Sequence, residues 1–346
     1  MEHGHKGSLS TLLESVVGRD RAARLLTTLA VQPALLEPCE NASRAVIAQA
    51  LNMLLFEDLL ERVPAAATYV ERCVAAGETI FHDHGAVRTV DLSGMGSLPS
   101  GQASIVRVLQ PLGYELRGTY PLDRLRMTGR SYAQADAPEE IAQFFISELH
   151  VDRFSSDFAA AVGRVTSEAK DPLTPGAAEL LAQVAADGFL SFEQAAALLP
   201  ALVACFERQH PAPALVDYEQ LLAESAEMAW IATEGNAFNH ATDRVQDVEK
   251  LTREQKALGQ PMKDKVEVSG SGRVRQTAFH AARVQRDFRS HDGSIVQREV
   301  PGSFLEFIAR DYVPGEPTEN AVERGKLDLS FDPSNAQAIF KMTSQS

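Results

Sequence analysis

Three cysteines in 346 residues, Cys39, Cys73 and Cys205, are too few and too scattered for a disulfide framework or a CxxC metal knuckle. They read as buried apolar thiols in a reducing compartment. Basic residues are short as well: 33 Lys and Arg stand against 47 Asp and Glu, a net charge of -14. That balance does not compensate phosphate, so neither a nucleic acid nor an anionic membrane surface is expected as a partner. No apolar run approaches the roughly 18–20 residues that span a bilayer. The polar start Met-Glu-His-Gly-His-Lys-Gly-Ser has no signal-peptide core, and its His3 and His5 are set aside. The cytoplasm is the expected location. Nucleotide and nucleophile signatures are missing too: no GxGxxG after a strand, no GxxxxGK(S/T) loop and no GxSxG elbow.

What is present is an ordinary globular composition, 45% hydrophobic and 23% charged, with alternating helical and strand patterns. Residues 1–78 read as an N-terminal helical segment, with apolar residues at helical spacing through Leu12, Val16, Leu25 and Leu29 and again along Ala42–Arg62. Residues 79–154 read as strand, helix and further strands, with a short helical start at Glu139–Gln143. Residues 155–229 form a second helical block, in which Ser191 and Gln194 fit a capping box. Residues 230–346 repeat the strand–helix–strands order: a strand within Trp230–Val245, a helix over Asp247–Leu258, and strands at Val266–Gly270, Arg273–Phe288, Ser294–Val300 and Ser303–Val313. The tail from Pro314 is looser, with local pairing at Ala336–Phe340. One integrated domain of the α+β class is expected.

The duplicated order places chemistry in matching positions. His84 lies on the first strand of one copy and His240 on the first strand of the other; Glu148 and Glu306 lie on their last strands. Two imidazoles and one carboxylate on strands make a facial set that suits Fe(II) and leaves coordination positions open, although Mn, Co, Ni and Zn also accept such ligands. His82 competes with His84, since a regular strand points both to one face. Glu148 competes with Glu306, which belongs to the longer strand. Arg88 shares the face of His84 and offers either a clamp for a carboxylate or an ordinary ion pair. Tyr132, Arg275 and Gln276 are possible cavity residues, and His280 a group behind the ligands. His150, His210 and His291 have no partner at a repeated position.

Three segments carry a resemblance: Phe81-His82-Asp83-His84-Gly85-Ala86-Val87-Arg88, Trp230-Ile231-Ala232-Thr233 through Asn239-His240-Ala241-Thr242, and Pro301-Gly302-Ser303-Phe304-Leu305-Glu306-Phe307. In this order they resemble the 2-oxoadipate dioxygenase/decarboxylase (hydroxyglutarate synthase) family of the vicinal-oxygen-chelate superfamily. The resemblance implies paired βαβββ modules forming a curved mixed sheet around a metal, with the helical blocks added. It implies Fe(II) held by His84, His240 and Glu306, and a substrate carboxylate held by Arg88, with a further contact from Ser334 within Pro333-Ser334-Asn335. The implied reaction takes a 2-oxo dicarboxylic acid such as 2-oxoadipate and O2 to 2-hydroxyglutarate and CO2, a step of lysine breakdown. The same scaffold also hosts isomerases of the glyoxalase type, extradiol dioxygenases and binders without activity, so fold alone does not give the reaction.

Overall fold

The computed structural model describes residues 7–318 and 321–332. Its centre is a curled sheet of eight strands. These are β1 (His82–Asp91), β2 (Tyr114–Leu122), β3 (Met127–Gln134), β4 (Gln143–His150), β5 (His240–Arg244), β6 (Glu267–Val268), β7 (Val274–Ala278) and β10 (Phe304–Arg310). The strands β8 (Arg283–Arg289) and β9 (Ile295–Pro301) form a separate hairpin inserted before β10. The order across the sheet is β2-β3-β4-β1-β5-β10-β7-β6.

That order is one arrangement used twice. In each half the first strand is innermost and the last strand lies parallel beside it: β4 along β1, β10 along β5. The remaining two strands follow outward in antiparallel pairing. The helices Ala103–Leu109 and Val248–Ala257 make the connection after each first strand. The halves meet where β1 and β5 pair antiparallel. This is a pair of βαβββ modules joined edge to edge in an α+β chain.

Strand parity then separates two faces. Phe144, Ile146, Ala241, Leu305 and Phe307 point to one side and join the main core with helices Ser8–Val17, Arg44–Arg62 and Phe192–Ala204. Both helical blocks contribute to that face, and the second also covers part of the other, where the helix Ser156–Thr166 packs on Val90, Met127 and Leu149. They are also tied directly, where Ala42–Ser43 pairs with Phe189–Leu190. Phe145, Ser147, His240 and Glu306 point to the other side, into a cavity.

Several local expectations change. Glu139–Gln143 is a turn running into β4, because so short a segment does not repay helix nucleation. The Gln134 side chain holds that turn by accepting the Asp136 and Ala137 N–H groups. The strand expected within Trp230–Val245 is β5, but the helical block runs past residue 229: Trp230 sits on the helix Ala226–Glu234, capped by Ser225 and ended at Gly235 with φ 65°. Its apolar run reads equally well at either period when both faces are buried. Arg273–Phe288 is two strands, broken between Ala278 and Arg283. Tyr312–Thr318 pairs with Ala321–Leu327, where a looser tail was expected. Ala336–Phe340 and Ser334 lie outside the described residues.

Candidate metal centre

The site is built from a row of three residues across three strands. Thr242 on β5 stands opposite His84 on β1 and beside Glu306 on β10. His240, two residues before Thr242, projects from the same face. The parity that hides Ala241 in the core thus presents His240 and Thr242 together. One ligand atom from each of His84, His240 and Glu306 lies within 4.8 Å of the others, a spacing that a single metal ion fits. The Glu306 Oε2 is 3.2 Å from the His84 Nε2 and 3.5 Å from the His240 Nε2. All three residues are buried.

Each imidazole is oriented by the residue immediately before it. His84 Nδ1 donates to Asp83 Oδ1 at 2.8 Å, and His240 Nδ1 donates to Asn239 Oδ1 at 3.0 Å. Fixing the proton on Nδ1 turns each Nε2 toward Glu306, the arrangement that prepares histidine for a cation. Asp83 is itself clamped: Arg244 donates to it at 2.6 Å and Arg310 at 2.9 Å. The Thr242 hydroxyl donates to Glu306 Oε2 at 2.8 Å. Glu306 Oε1 is buried and has no hydrogen-bond partner among the described residues. A buried carboxylate oxygen without a donor, facing two oriented imidazoles, fits a divalent cation.

Charge in the metal-free protein supports this. Burial pushes the His240 imidazole down to about 3, so it is neutral and able to coordinate. Burial alone would raise the Glu306 carboxyl, but the His84 hydrogen bond, the His84 charge and the Thr242 hydroxyl hold it below its usual range. Burial also opposes a charge on His84, yet Asp83 and Glu306 outweigh it and raise its pKa. A proton on His84 therefore competes with a metal ion for the side that faces Glu306. Metal affinity is expected to fall as pH drops, with proton release on binding. Calorimetric titration in buffers of different ionisation enthalpy measures that release; none at neutral pH would contradict the coupling.

The competitors fall on the other side. A register shift between His82 and His84 breaks the alternation of β1. His82 therefore joins the helix-covered face, packed on Phe56 and Phe238 with ring centroids 5.0 Å and 6.0 Å away. Gly85 faces the same way, and a Cβ there would lie 2.1 Å from Phe238 Cζ, so only glycine fits under that ring. Glu148 has opposite parity to Phe145 and Ser147. It pairs with Arg130 at 3.0 Å and accepts the Gln102 N–H at 2.6 Å. Two residues past His84, at the place of Thr242, stands Ala86, and its neighbour on β4, at the place of Glu306, is Phe145. The first module thus supplies an aromatic wall where the second supplies the Glu306 carboxylate. Asp91, Glu148 and His150 also cluster, but His150 is already bonded to Thr128 and Asp91. His280 is exposed, Arg275 pairs with Asp311 at the surface, and Tyr132 donates to Gln102.

The cavity beside the triad, about 450 Å³ including its open mouth, is lined by Arg88, Ser147, Asn239 and Gln276 as well as His84, His240 and Glu306. Arg88 is 1% exposed, with its guanidinium 4.8 Å from the centre of the Trp230 ring. Burial lowers its pKa to about 10, which still leaves it cationic at neutral pH. Phe145 and Phe331 form the opposite wall. The Phe331 ring is edge-on to His84 at 4.9 Å and 5.0 Å from Phe145. Arg310 holds the segment carrying Phe331 by donating to the Asp328 and Ser330 carbonyls, each at 2.9 Å. Thr242, Arg310 and Phe331 were not singled out in the sequence. Parity from His240 points to Thr242; nothing local points to Phe331.

The family model described as 2-oxoadipate dioxygenase/decarboxylase matches residues 49–316. A chloroplastic 2-oxoadipate dioxygenase/decarboxylase of Arabidopsis thaliana is 25% identical over 291 residues, 78% of this chain and 69% of that protein. One from Mycobacterium tuberculosis is 29% identical over 282 residues, 72% of this chain and 66% of that protein. Among solved structures, a glyoxalase superfamily protein from Ralstonia eutropha JMP134 is 56% identical with a TM-score of 0.88, covering 94% of this chain and 98% of its own. The hydroxyglutarate synthase of Oryza sativa in complex with 2-oxoadipate shares the fold, with a TM-score of 0.66 at 21% identity, covering 89% of this chain and 96% of its own.

Proposed function

We propose a function from one premise: this chain belongs to the 2-oxoadipate dioxygenase/decarboxylase family. It is an Fe(II)-dependent dioxygenase that converts a 2-oxo dicarboxylic acid, 2-oxoadipate or a close analogue, with O2 to a 2-hydroxy acid one carbon shorter and CO2. The observation that carries this reading is the convergence of His84, His240 and Glu306 in a buried cavity that also contains Arg88. Two imidazoles and a carboxylate are the ligand set suited to non-haem iron.

His84, His240 and Glu306 would hold the iron. Iron bound there supplies the activation of oxygen and the chelation of the 2-oxo acid. The atoms balance: the carboxyl carbon leaves as CO2, one oxygen atom of O2 enters the new carboxylate, and the other becomes the hydroxyl. Arg88 stands four residues along β1 from His84, about 13 Å between Cα atoms for an extended strand. Side chains leaning in from both positions span a six-carbon diacid, with one end at the metal and the far carboxylate on the guanidinium. Phe145 and Phe331 keep water from the remaining wall.

Arg88→Met fills the space without the charge. It is expected to lower kcat/KM for 2-oxoadipate about 10- to 100-fold, the scale of a lost charge-assisted hydrogen bond. Iron content and the rate with a monocarboxylic 2-oxo acid should be much less affected. An equal loss on both acids would remove Arg88 from substrate recognition. The reading as a whole is tested by oxygen uptake and CO2 release with 2-oxo acids of increasing length. A glyoxalase-type isomerase would consume no oxygen with any of them.

A further inference from the structure

The two modules orient their histidines by the same device but with different residues, and the difference leaves one polar group over. Behind His84 stands Asp83, whose carboxylate is taken up by His84, Arg244 and Arg310. Behind His240 stands Asn239, which lines the cavity and is 3% exposed. Its backbone is pinned on both sides: the Asn239 N–H donates to the Ala86 carbonyl at 2.8 Å, and its own carbonyl accepts the Phe304 N–H at 3.2 Å. Its Oδ1 accepts from His240 Nδ1. Once Oδ1 has that role, the other end of the amide is a donor, and Asn239 Nδ2 is buried without a hydrogen-bond partner among the described residues. A buried amide N–H left unpaired is costly, and such a group at a cavity wall is normally answered by a ligand.

We propose that Asn239 has two roles: its Oδ1 positions His240, and its Nδ2 donates a hydrogen bond to a carboxylate or keto oxygen of the 2-oxo acid held at the triad. An aspartate at this place, as in the other module, would fix the imidazole equally well but would offer no donor. The choice of amide over carboxylate is thereby explained by the substrate. The inference rests on the functional reading above and assigns a substrate contact within that site.

The test uses full-length protein loaded with Mn(II), which keeps the coordination chemistry without turnover. Asn239→Asp and Asn239→Ala are titrated first with metal and then, at saturating metal confirmed by metal analysis, with 2-oxoadipate by calorimetry. Asn239→Asp is expected to bind metal within about threefold of the wild type, because the Asp83–His84 pair shows that a carboxylate serves the orienting role. Asn239→Ala, which orients nothing, should lose about 10- to 100-fold in metal affinity. Both should lose about tenfold or more in affinity for the acid, the scale of a hydrogen bond to a charged group. Acid binding at wild-type strength in metal-loaded Asn239→Ala would overturn the donor role; a loss confined to Asn239→Asp would then be charge repulsion. Failure of the metal-loaded wild type to bind any 2-oxo acid would overturn the functional reading itself, and this contact with it.

Discussion

Replacing His240 with alanine is expected to give a folded protein that retains no stoichiometric Fe(II) and consumes no oxygen with 2-oxoadipate. His240 is the most easily isolated member of the triad. It is buried and neutral, and its Nε2 faces Glu306. Loss of a residue that merely orients a ligand typically weakens metal binding 10- to 100-fold, and loss of the ligand itself should exceed about 100-fold. The structural cost is smaller. The ring stacks on Phe304 at 4.9 Å, and truncation there should cost about 1–3 kcal/mol. Metal analysis after anaerobic loading, with thermal unfolding as the control, checks both parts. Retention of one iron per chain and of oxygen uptake would remove His240 from the centre.

Asp83→Ala should have the largest effect on stability. Asp83 has no exposed side-chain surface and neither does Arg310, and Arg244 is largely covered. Removing the carboxylate leaves two guanidinium groups in a dry setting without their shared counter-charge. Breaking a buried pair from one side costs about 3–5 kcal/mol. The consequences reach the site by two routes. His84 loses its orienting acceptor, and Arg310 loses the anchor that aligns it to hold Asp328 and Ser330 and so to seat Phe331 against His84. Metal affinity should therefore drop along with stability.

The pH dependence has a definite sign. Burial opposes the Asp83 charge, but Arg310, Arg244 and His84 hold its carboxyl well below the usual carboxylate range. The stabilisation is complete above the unfolded-state value of about 3.9 and is lost only as pH falls through the lower folded value. The wild type should keep this contribution down to about pH 4, whereas the variant has none to lose at any pH. Urea unfolding at neutral pH measures the difference; a change below about 1 kcal/mol would contradict the role given to this cluster.

The sequence made the two modules and the pocket side of each strand legible because period-2 alternation is a local property. His84 and Arg88 share parity on β1, as His240 and Thr242 do on β5. Choosing between His82 and His84 was out of reach, because it depends on a bulge that only pairing with β5 reveals. Glu148 looked equivalent to Glu306 by distance along the chain. The register of β4 on β1 decides otherwise, since it sets Phe145, not Glu148, beside Ala86. Trp230 lay in an apolar run with no period of its own. Phe331 lies far from the ligands in sequence, and Arg310 brings it to the site by contacts that no local pattern encodes.

The central claim, that the triad holds an iron that couples oxygen to loss of CO2 from a 2-oxo acid, is tested most directly by one measurement of stoichiometry. Protein loaded anaerobically with Fe(II) is mixed with 2-oxoadipate and a limiting amount of O2, and oxygen consumed, CO2 released and 2-hydroxyglutarate formed are determined in the same sample. The account predicts equimolar amounts of all three, and none from protein kept free of metal. Turnover without oxygen consumption, or unchanged turnover in metal-free protein, would contradict it.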